Sequence, residues 1–253
     1  MILEDFKLHG RVAIVTGCNT GLGQGMALAL AEAGADIVGV NVSDPVETRA
    51  HVQATGRRFL DLRADLADVS GIHGLVEKAK SLTGRVDILV NNAGIIRRED
   101  ALKFTEKDWD DVIDINLKTV FFFSQAVARE FIAQGSGGKI INVASMLSYQ
   151  GGVRVPSYTA SKSGVMGITR LMANEWAAHG INVNAIAPGY MSTNNTAALR
   201  ADENRNASIL ERIPAGRWGL PKDLAGPVVF LASKASDYVN GYTIAVDGGW
   251  LAR

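Results

Sequence analysis

The chain has 253 residues, 47% of them hydrophobic, with Lys+Arg and Asp+Glu equal at 26 each and a formal net charge of zero. That balance excludes a basic nucleic-acid or anionic-membrane surface, and the length is enough to bury a core without a disulfide or a structural metal. The single Cys18 excludes an intrachain disulfide, acids stand where a secretory signal needs a basic region, and no apolar run reaches the ~18 residues of a membrane span, so a cytoplasmic globular protein is expected.

In chain order, β-branched runs occur at residues 11–16, 36–42, 58–62, 86–90, 139–143, 181–186 and 242–246. Most are apolar on successive residues, as strands buried on both faces of a parallel sheet require. Residues 22–33, 106–133 and 158–179 lie between them and carry apolar side chains at helical spacing. Strand-helix alternation along 1–253 predicts a single-domain α/β Rossmann fold, a doubly wound seven-stranded parallel sheet with helices on both faces. Residues 190–214 break the rhythm with a polar, Asn- and Thr-rich helical stretch. An insertion after a strand's carboxyl end, where open α/β sheets bind ligands, reads as a substrate loop or lid.

Thr16-Gly17-Cys18-Asn19-Thr20-Gly21-Leu22-Gly23 follows the first strand and opens the first helix. Gly17 permits the tight turn, Gly21 lets backbone N–H groups approach a pyrophosphate, and Gly23 allows close helix packing. The turn therefore predicts a dinucleotide site in which Asn19, Thr20 and Leu22 also take part. Sheets of this kind usually end the second strand with an acid that holds the ribose 2′-hydroxyl. Here Asn41 fills that slot, with Ser43 and Asp44 just beyond, and no Arg or Lys occurs at 18–20 or 40–44 to hold a 2′-phosphate. NAD is expected over NADP, with Asn41 or Asp44 on the ribose. Cys18 reads as a small turn residue, since no histidine is near it in sequence.

Tyr158 and Lys162 stand four residues apart, which stacks them on one helix face, and Ser145 ends an apolar run upstream. A phenol ionises near pH ~10, and a fixed cation beside it favours the phenolate, bringing it into range for proton exchange with an alcohol or carbonyl. His9, His51, His73 and His179 form no metal-ligand spacing with each other or with Cys18, so no metal is expected.

Together the motifs resemble the short-chain dehydrogenase/reductase family over essentially the whole chain. The resemblance rests on residues 16–23, the Asn91-Asn92-Ala93-Gly94 turn, Asn116, Ser145, Tyr158, Lys162, and Pro188-Gly189 followed by Thr193, in order and with thirteen residues from Ser145 to Tyr158. It implies hydride transfer between a substrate carbon and a nicotinamide. Ser145 would bond the substrate oxygen and Tyr158 would exchange its proton. Lys162 would lower the tyrosine pKa and bond the nicotinamide ribose, and Asn116 would hold a water leading from Lys162 to solvent. It further implies Asp65 and Leu66 at the adenine, and Asn91, Ala93 and Gly94 along the adenosine ribose. Ile186, Pro188, Gly189 and Thr193 would frame the carboxamide. Members are usually homotetramers, which makes the apolar stretches 106–133 and 158–179 candidate interfaces.

A closer likeness within the family, to sugar-acid dehydrogenases, is carried by residues 96–100, 145–152 and 190–196 and by both chain ends. A sugar acid needs a cation for its carboxylate and polar groups for its hydroxyls. Arg154, then Arg97, then Arg217 are the expected carboxylate partners, with Arg98 beside Arg97 on the same edge and Gln150, Asn194 and Asn195 as neutral donors or acceptors. Arg97 and Arg98 could equally form a surface ion-pair cluster with Glu99 and Asp100. A ketoacyl-thioester or steroid reductase on the same scaffold would want an apolar groove and usually NADPH, against the missing cations. A dinucleotide sensor without catalysis would have no chemical need for Ser145, Tyr158 and Lys162 together.

Overall fold

The computed structural model describes residues 1–82 and 84–253. Its strands are β1 (Val12–Thr16), β2 (Asp36–Asn41), β3 (Phe59–Arg63), β4 (Ile88–Asn91), β5 (Gly138–Val143), β6 (Ile181–Pro188) and β7 (Thr243–Val246). They form one parallel sheet in the order β3-β2-β1-β4-β5-β6-β7. Every position of β1 and β2 is buried, which explains why their sequences are apolar on successive residues.

Nine helices pack around the sheet among the described residues: α1 (Gly21–Glu32), α2 (Val46–Ala54), α3 (Ile72–Lys80), α4 (Glu106–Ile113), α5 (Thr119–Gln134), α6 (Pro156–Trp176), α7 (Ala197–Ala201), α8 (Glu203–Arg212) and α9 (Ala225–Ala232). Alternate residues of β1 feed two separate cores. Ala13 and Val15 pack with Met26 and Leu30 of α1 and Val228 and Leu231 of α9. Val12 and Ile14 pack with Val76 of α3 and Phe123, Val127 and Phe131 of α5. Phe131 is fully buried, and its loss to alanine would cost about 3–5 kcal/mol. Among the described residues no helix is long and apolar enough to cross a membrane.

The stretch 106–133 is divided where the periodicity predicts one helix. α4 runs into a π-helical turn, Asp114–Lys118, before α5 continues. A π turn adds a residue to one turn and leaves the apolar pattern on either side intact, so it is invisible to a 3.6-residue template. Its effect is to swing Asn116 fully inside, where the side chain accepts from Ile95 N–H (2.9 Å) and donates to Ile95 C=O (2.9 Å).

Strand order reverses between β1 and β4, so the segments leaving the carboxyl ends of β1, β4, β5 and β6 meet around one crevice. The segment after β6 returns to the sheet edge through a bridge between Met191 and Gly219 and holds α7 and α8 between those points.

Candidate active site

The glycine turn is shaped from behind. Gly17 and Gly21 adopt φ of 64° and 59°, in the left-handed region. A Cβ on Gly23 would collide with the Gly17 carbonyl and the Asn92 amide, so only glycine lets α1 start this close to β1. Asn92 donates to the carbonyls of Thr16 and Gly17 (3.0 Å each), while the Thr16 hydroxyl accepts from the N–H groups of Asn92 and Ala93 (3.0 Å each). Thr20 makes no side-chain cap bond, leaving the first-turn N–H groups of α1 turned toward the crevice. Thr193 closes the turn from the opposite side, its methyl 3.7 Å from the position of a Cβ on Gly21.

The side chains of several expected cofactor residues are engaged within the protein. Asn91 turns into the core, donating to Ser124 Oγ and Asn142 Oδ1 (2.9 Å each), and the neighbouring Asn92 braces the turn. Leu66 packs in the core, its carbonyl accepting from the Thr119 hydroxyl, and Asp65 accepts from Ala67 N–H (2.9 Å) in its own turn. Ile186 is likewise a core residue. Gly94 lies against Asn116, whose Oδ1 is 3.1 Å from a Cβ built there. Gly189 passes so close to Asp247 that a Cβ would come within 2.6 Å of its Cα. Leu22 is half-buried against the core, and Pro188 is the buried last residue of β6.

At the end of β2, Asn41 is buried and donates to Cys18 Sγ (3.5 Å), while its Oδ1 has no partner. Burial pushes the Cys18 thiol up to about 11, which keeps it a neutral turn residue. Asn19 donates to Ser43 Oγ (2.7 Å) across the mouth of the corner. The register Asn41↔Arg63 brings a cation beside the slot from a strand that local sequence windows do not reach. Arg63 pairs with Asp44 (3.1 Å) and Asp61 (2.8 Å), and Arg49 pairs with the same two acids (2.9 and 3.3 Å). The corner thus has two cations, both already neutralised.

The four expected reaction residues converge. Ser145 caps the short turn Met146–Ser148, its Oγ accepting from Leu147 N–H (3.1 Å). Ser148 Oγ accepts from Ser145 N–H (3.3 Å) and donates to the Lys162 carbonyl (2.6 Å), tying that turn to α6. Pro156, at the start of α6, fixes the entry so that Tyr158 and Lys162 face the crevice one turn apart. Asn116 also donates to Ser161 Oγ (3.3 Å), between those two residues.

Burial raises the Tyr158 pKa above the usual phenol value, while a hydrogen bond from the Ser145 side chain and the charge of Arg98 pull it back. Lys162 Nζ donates to the Val143 carbonyl (2.6 Å) and sits 5.8 Å from the Tyr158 ring centroid. Burial without a counter-ion pushes the Lys162 ammonium down to about 8. The cluster holds an oxygen-binding hydroxyl, a desolvated phenol and a tunable cation, the equipment for proton transfer at a carbonyl or alcohol.

The substrate side differs from expectation. Arg154, in a left-handed conformation (φ 63°), is exposed and pairs with Asp100 (3.0 Å) and Glu99 (3.4 Å). Arg97 pairs with Asp108 (3.5 Å) and Asp111 (3.4 Å), and Arg217 with Asp223 (2.8 Å). All three expected carboxylate partners are engaged by protein acids. Arg98 has no such partner among the described residues; its Nη2 donates to the Asn195 carbonyl (3.3 Å) across the crevice, and its charge acts on Tyr158. Sequence order sets Glu99 and Asp100 beside Arg98, but in the fold Arg154 occupies both. Gln150 accepts from Arg212 (3.2 Å), and Asn194 is exposed at the start of a one-turn helix capped by Thr193. Tyr190 packs edge-on against Trp218 (5.5 Å) and Trp250 (4.8 Å), with Arg212 over the Trp250 ring at 4.0 Å, so aromatic contacts root the segment that follows β6.

The family described as enoyl-(acyl carrier protein) reductase, within the short-chain dehydrogenases, matches residues 17–251. The chain is similar to the 2-dehydro-3-deoxy-D-gluconate 5-dehydrogenase of Escherichia coli K12, 74% identical over all of both chains. It is similar to the enzyme of that name from Bacillus subtilis 168, 54% identical over 99% of this chain and 98% of the relative. A crystal structure from Agrobacterium tumefaciens with bound NADP, provisionally named as a 2-deoxy-D-gluconate 3-dehydrogenase, superposes with a TM-score of 0.93 at 57% identity, covering 98% of this chain and 99% of that one.

Proposed function

The chain belongs to the short-chain dehydrogenase/reductase family, and we propose that it is an NAD(H)-dependent oxidoreductase of a sugar acid. The substrate pair is 2-dehydro-3-deoxy-D-gluconate and its 2,5-diketo form, 3-deoxy-D-glycero-2,5-hexodiulosonate, with 2-deoxy-D-gluconate oxidised at C3 as the second reading. The convergence of Asn116, Ser145, Tyr158 and Lys162 carries the proposal. Sugar-acid relatives that match from end to end support the substrate class.

The residues fit a dinucleotide: a glycine turn that tolerates no Cβ at Gly23, open N–H groups on α1, and an unpartnered buried acceptor on Asn41 that suits a ribose hydroxyl. Gly17, Asn19, Thr20, Gly21, Leu22, Gly23, Asn41, Ala93, Gly94, Pro188, Gly189 and Thr193 would hold it. When bound, the nicotinamide supplies or accepts the hydride. NAD is favoured because Asp44 and Asp61 occupy Arg49 and Arg63, the two cations at the 2′ corner.

In reduction, Ser145 donates a hydrogen bond to the substrate oxygen and Tyr158 donates its proton as negative charge develops there. In oxidation, Tyr158 takes the proton back. The Lys162 ammonium and Arg98 stabilise the phenolate that results, and Asn116, locked onto Ile95 and Ser161, keeps this part of α6 in register. Arg98 meets the substrate carboxylate, and Asn194 and Gln150 meet its hydroxyls. The exposed faces of α5 and α6, with Phe122, Ile132 and Leu171, suit contact between copies of the chain in a homotetramer.

The test is purified protein with the 2,5-diketo acid and either NADH or NADPH, alongside 2-deoxy-D-gluconate with NAD. A higher kcat/KM with NADH and the diketo acid is expected; preference for a neutral or acyl-thioester ketone would overturn the substrate class.

A further inference from the structure

Arg200 lies on α7, in the segment that covers the crevice, and none of the residues assigned above accounts for it. Its Nη2 donates to the Thr193 carbonyl (3.0 Å), and its Nε is buried with no partner. Among the described residues no carboxylate pairs with it, whereas Arg97, Arg154 and Arg217 at this end of the sheet each have one; Arg98 also lacks one, but its charge faces Tyr158. A guanidinium presents five N–H donors and cannot shed its charge. Holding one partly buried without an anion is unfavourable unless an anion arrives.

The anion can be identified from what Arg200 grips. Thr193, whose carbonyl it holds, places its methyl 3.7 Å from the Cβ position of Gly21, at the open N-terminus of α1. That ties the arginine, through one residue, to the turn where backbone N–H groups await a phosphate. The planar fork of arginine matches phosphate oxygens bidentately.

We propose that Arg200 is a ligand for the diphosphate of the dinucleotide, reaching it from the covering segment, so that loading the cofactor also fastens α7 over the crevice. This rests on the dinucleotide reading above and adds to it a residue outside the glycine turn. The segment is rooted at its far end by Tyr190, Trp218 and Trp250, so the arginine supplies the charged contact at its free end.

Titration calorimetry of the purified full chain with ADP-ribose, NAD and adenosine tests this without relying on turnover. Arg200→Gln keeps a donor for the Thr193 carbonyl and removes the charge; Arg200→Met removes both. Both variants should weaken ADP-ribose and NAD by about tenfold to a hundredfold, the range for a hydrogen bond to a charged group, and leave adenosine unchanged. Weakening in Arg200→Met with full affinity in Arg200→Gln would assign the arginine to bracing Thr193 and overturn the proposal. Unchanged ADP-ribose binding in both, with a raised KM for the sugar acid, would assign it to the substrate carboxylate and overturn it equally. If the parent enzyme fails to bind ADP-ribose at all, the dinucleotide reading itself is wrong.

Discussion

On the wall of the crevice built from β1, β4, β5 and α6, the side chains proposed to carry the reaction are buried and bonded inward. Asn116 is locked to Ile95, Lys162 to Val143, Asn92 to the glycine turn, and Ser148 ties two of these elements together. The opposite wall, made from residues 97–100, 150–154 and 190–219, is held by exposed ion pairs: Arg154 with Glu99 and Asp100, Arg97 with Asp108 and Asp111, Arg217 with Asp223. Exposed pairs contribute about 0–1 kcal/mol each and exchange partners readily, whereas buried networks cost several kcal/mol to leave half-satisfied. The proposed chemistry thus lies where rearrangement is expensive, and the proposed substrate choice where it is cheap.

The sharpest way to break that contrast is at Tyr158. Replacing it by Phe removes only the hydroxyl, so turnover should fall by about 10²–10⁴-fold while NADH affinity, read from fluorescence titration, changes by less than about twofold. Retained turnover would remove Tyr158 from proton transfer and leave the buried wall without its reactive group.

Lys162 tests what the buried wall costs. Its folded pKa of about 8 lies below the unfolded value of 10.5. The charged form is thus penalised in the folded state by about 3 kcal/mol at neutral pH, and the penalty is full below the folded value and relieved as pH rises toward the unfolded one. Lys162→Met removes this penalty but orphans the Val143 carbonyl, a loss that does not depend on pH. Denaturant melts of variant and parent should therefore converge by about 2 kcal/mol, to the parent's advantage, between pH 7 and 9.5. A pH-independent difference would mean that Lys162 is not desolvated as its surroundings indicate.

The buried wall was largely legible from sequence, and the reason is spacing. Tyr158, Lys162 and Ser145 lie within eighteen consecutive residues, and the glycine turn within eight, so local geometry brings each group together. What was not legible depended on neighbours in space. Arg63 reaches Asn41 only through strand pairing, Asn116 is marked only by the family resemblance and owes its position to a π turn, and Asn91 rather than Asn92 turns into the core because β4 ends between them. Arg154 looked like the available cation because its acids, Glu99 and Asp100, are fifty-four or more residues away in sequence.

That last substitution of roles predicts a pair of outcomes. Arg98→Met should raise KM for the sugar acid by about tenfold to a hundredfold and for its neutral amide hardly at all. Arg154→Met, losing a partner already shared by two acids, should change either by less than about threefold. Equal effects of Arg98→Met on acid and amide would mean that it acts through Tyr158 alone, and a larger effect at Arg154 would show that its ion pairs open for substrate.

The smallest expected effect lies at the corner beyond β2, where cheap ion pairs adjoin the buried wall. Asp44 is exposed and holds both Arg49 and Arg63, while Asp61 behind it is largely buried and keeps one oxygen without a partner. Asp44→Ser should leave each arginine with only Asp61 and turn part of their charge outward, toward the position of a 2′-phosphate. KM for NADPH should then fall by about three- to tenfold, while KM for NADH stays within about twofold because Asn41 still meets the ribose. If NADPH gains nothing, Asp61 alone is enough to hold both cations, and the proposed NAD preference rests on the buried acid rather than on the exposed one. If the parent already takes NADPH as readily as NADH, then the arginines leave Asp44 without help, and the corner behaves as the rest of the exchangeable wall does.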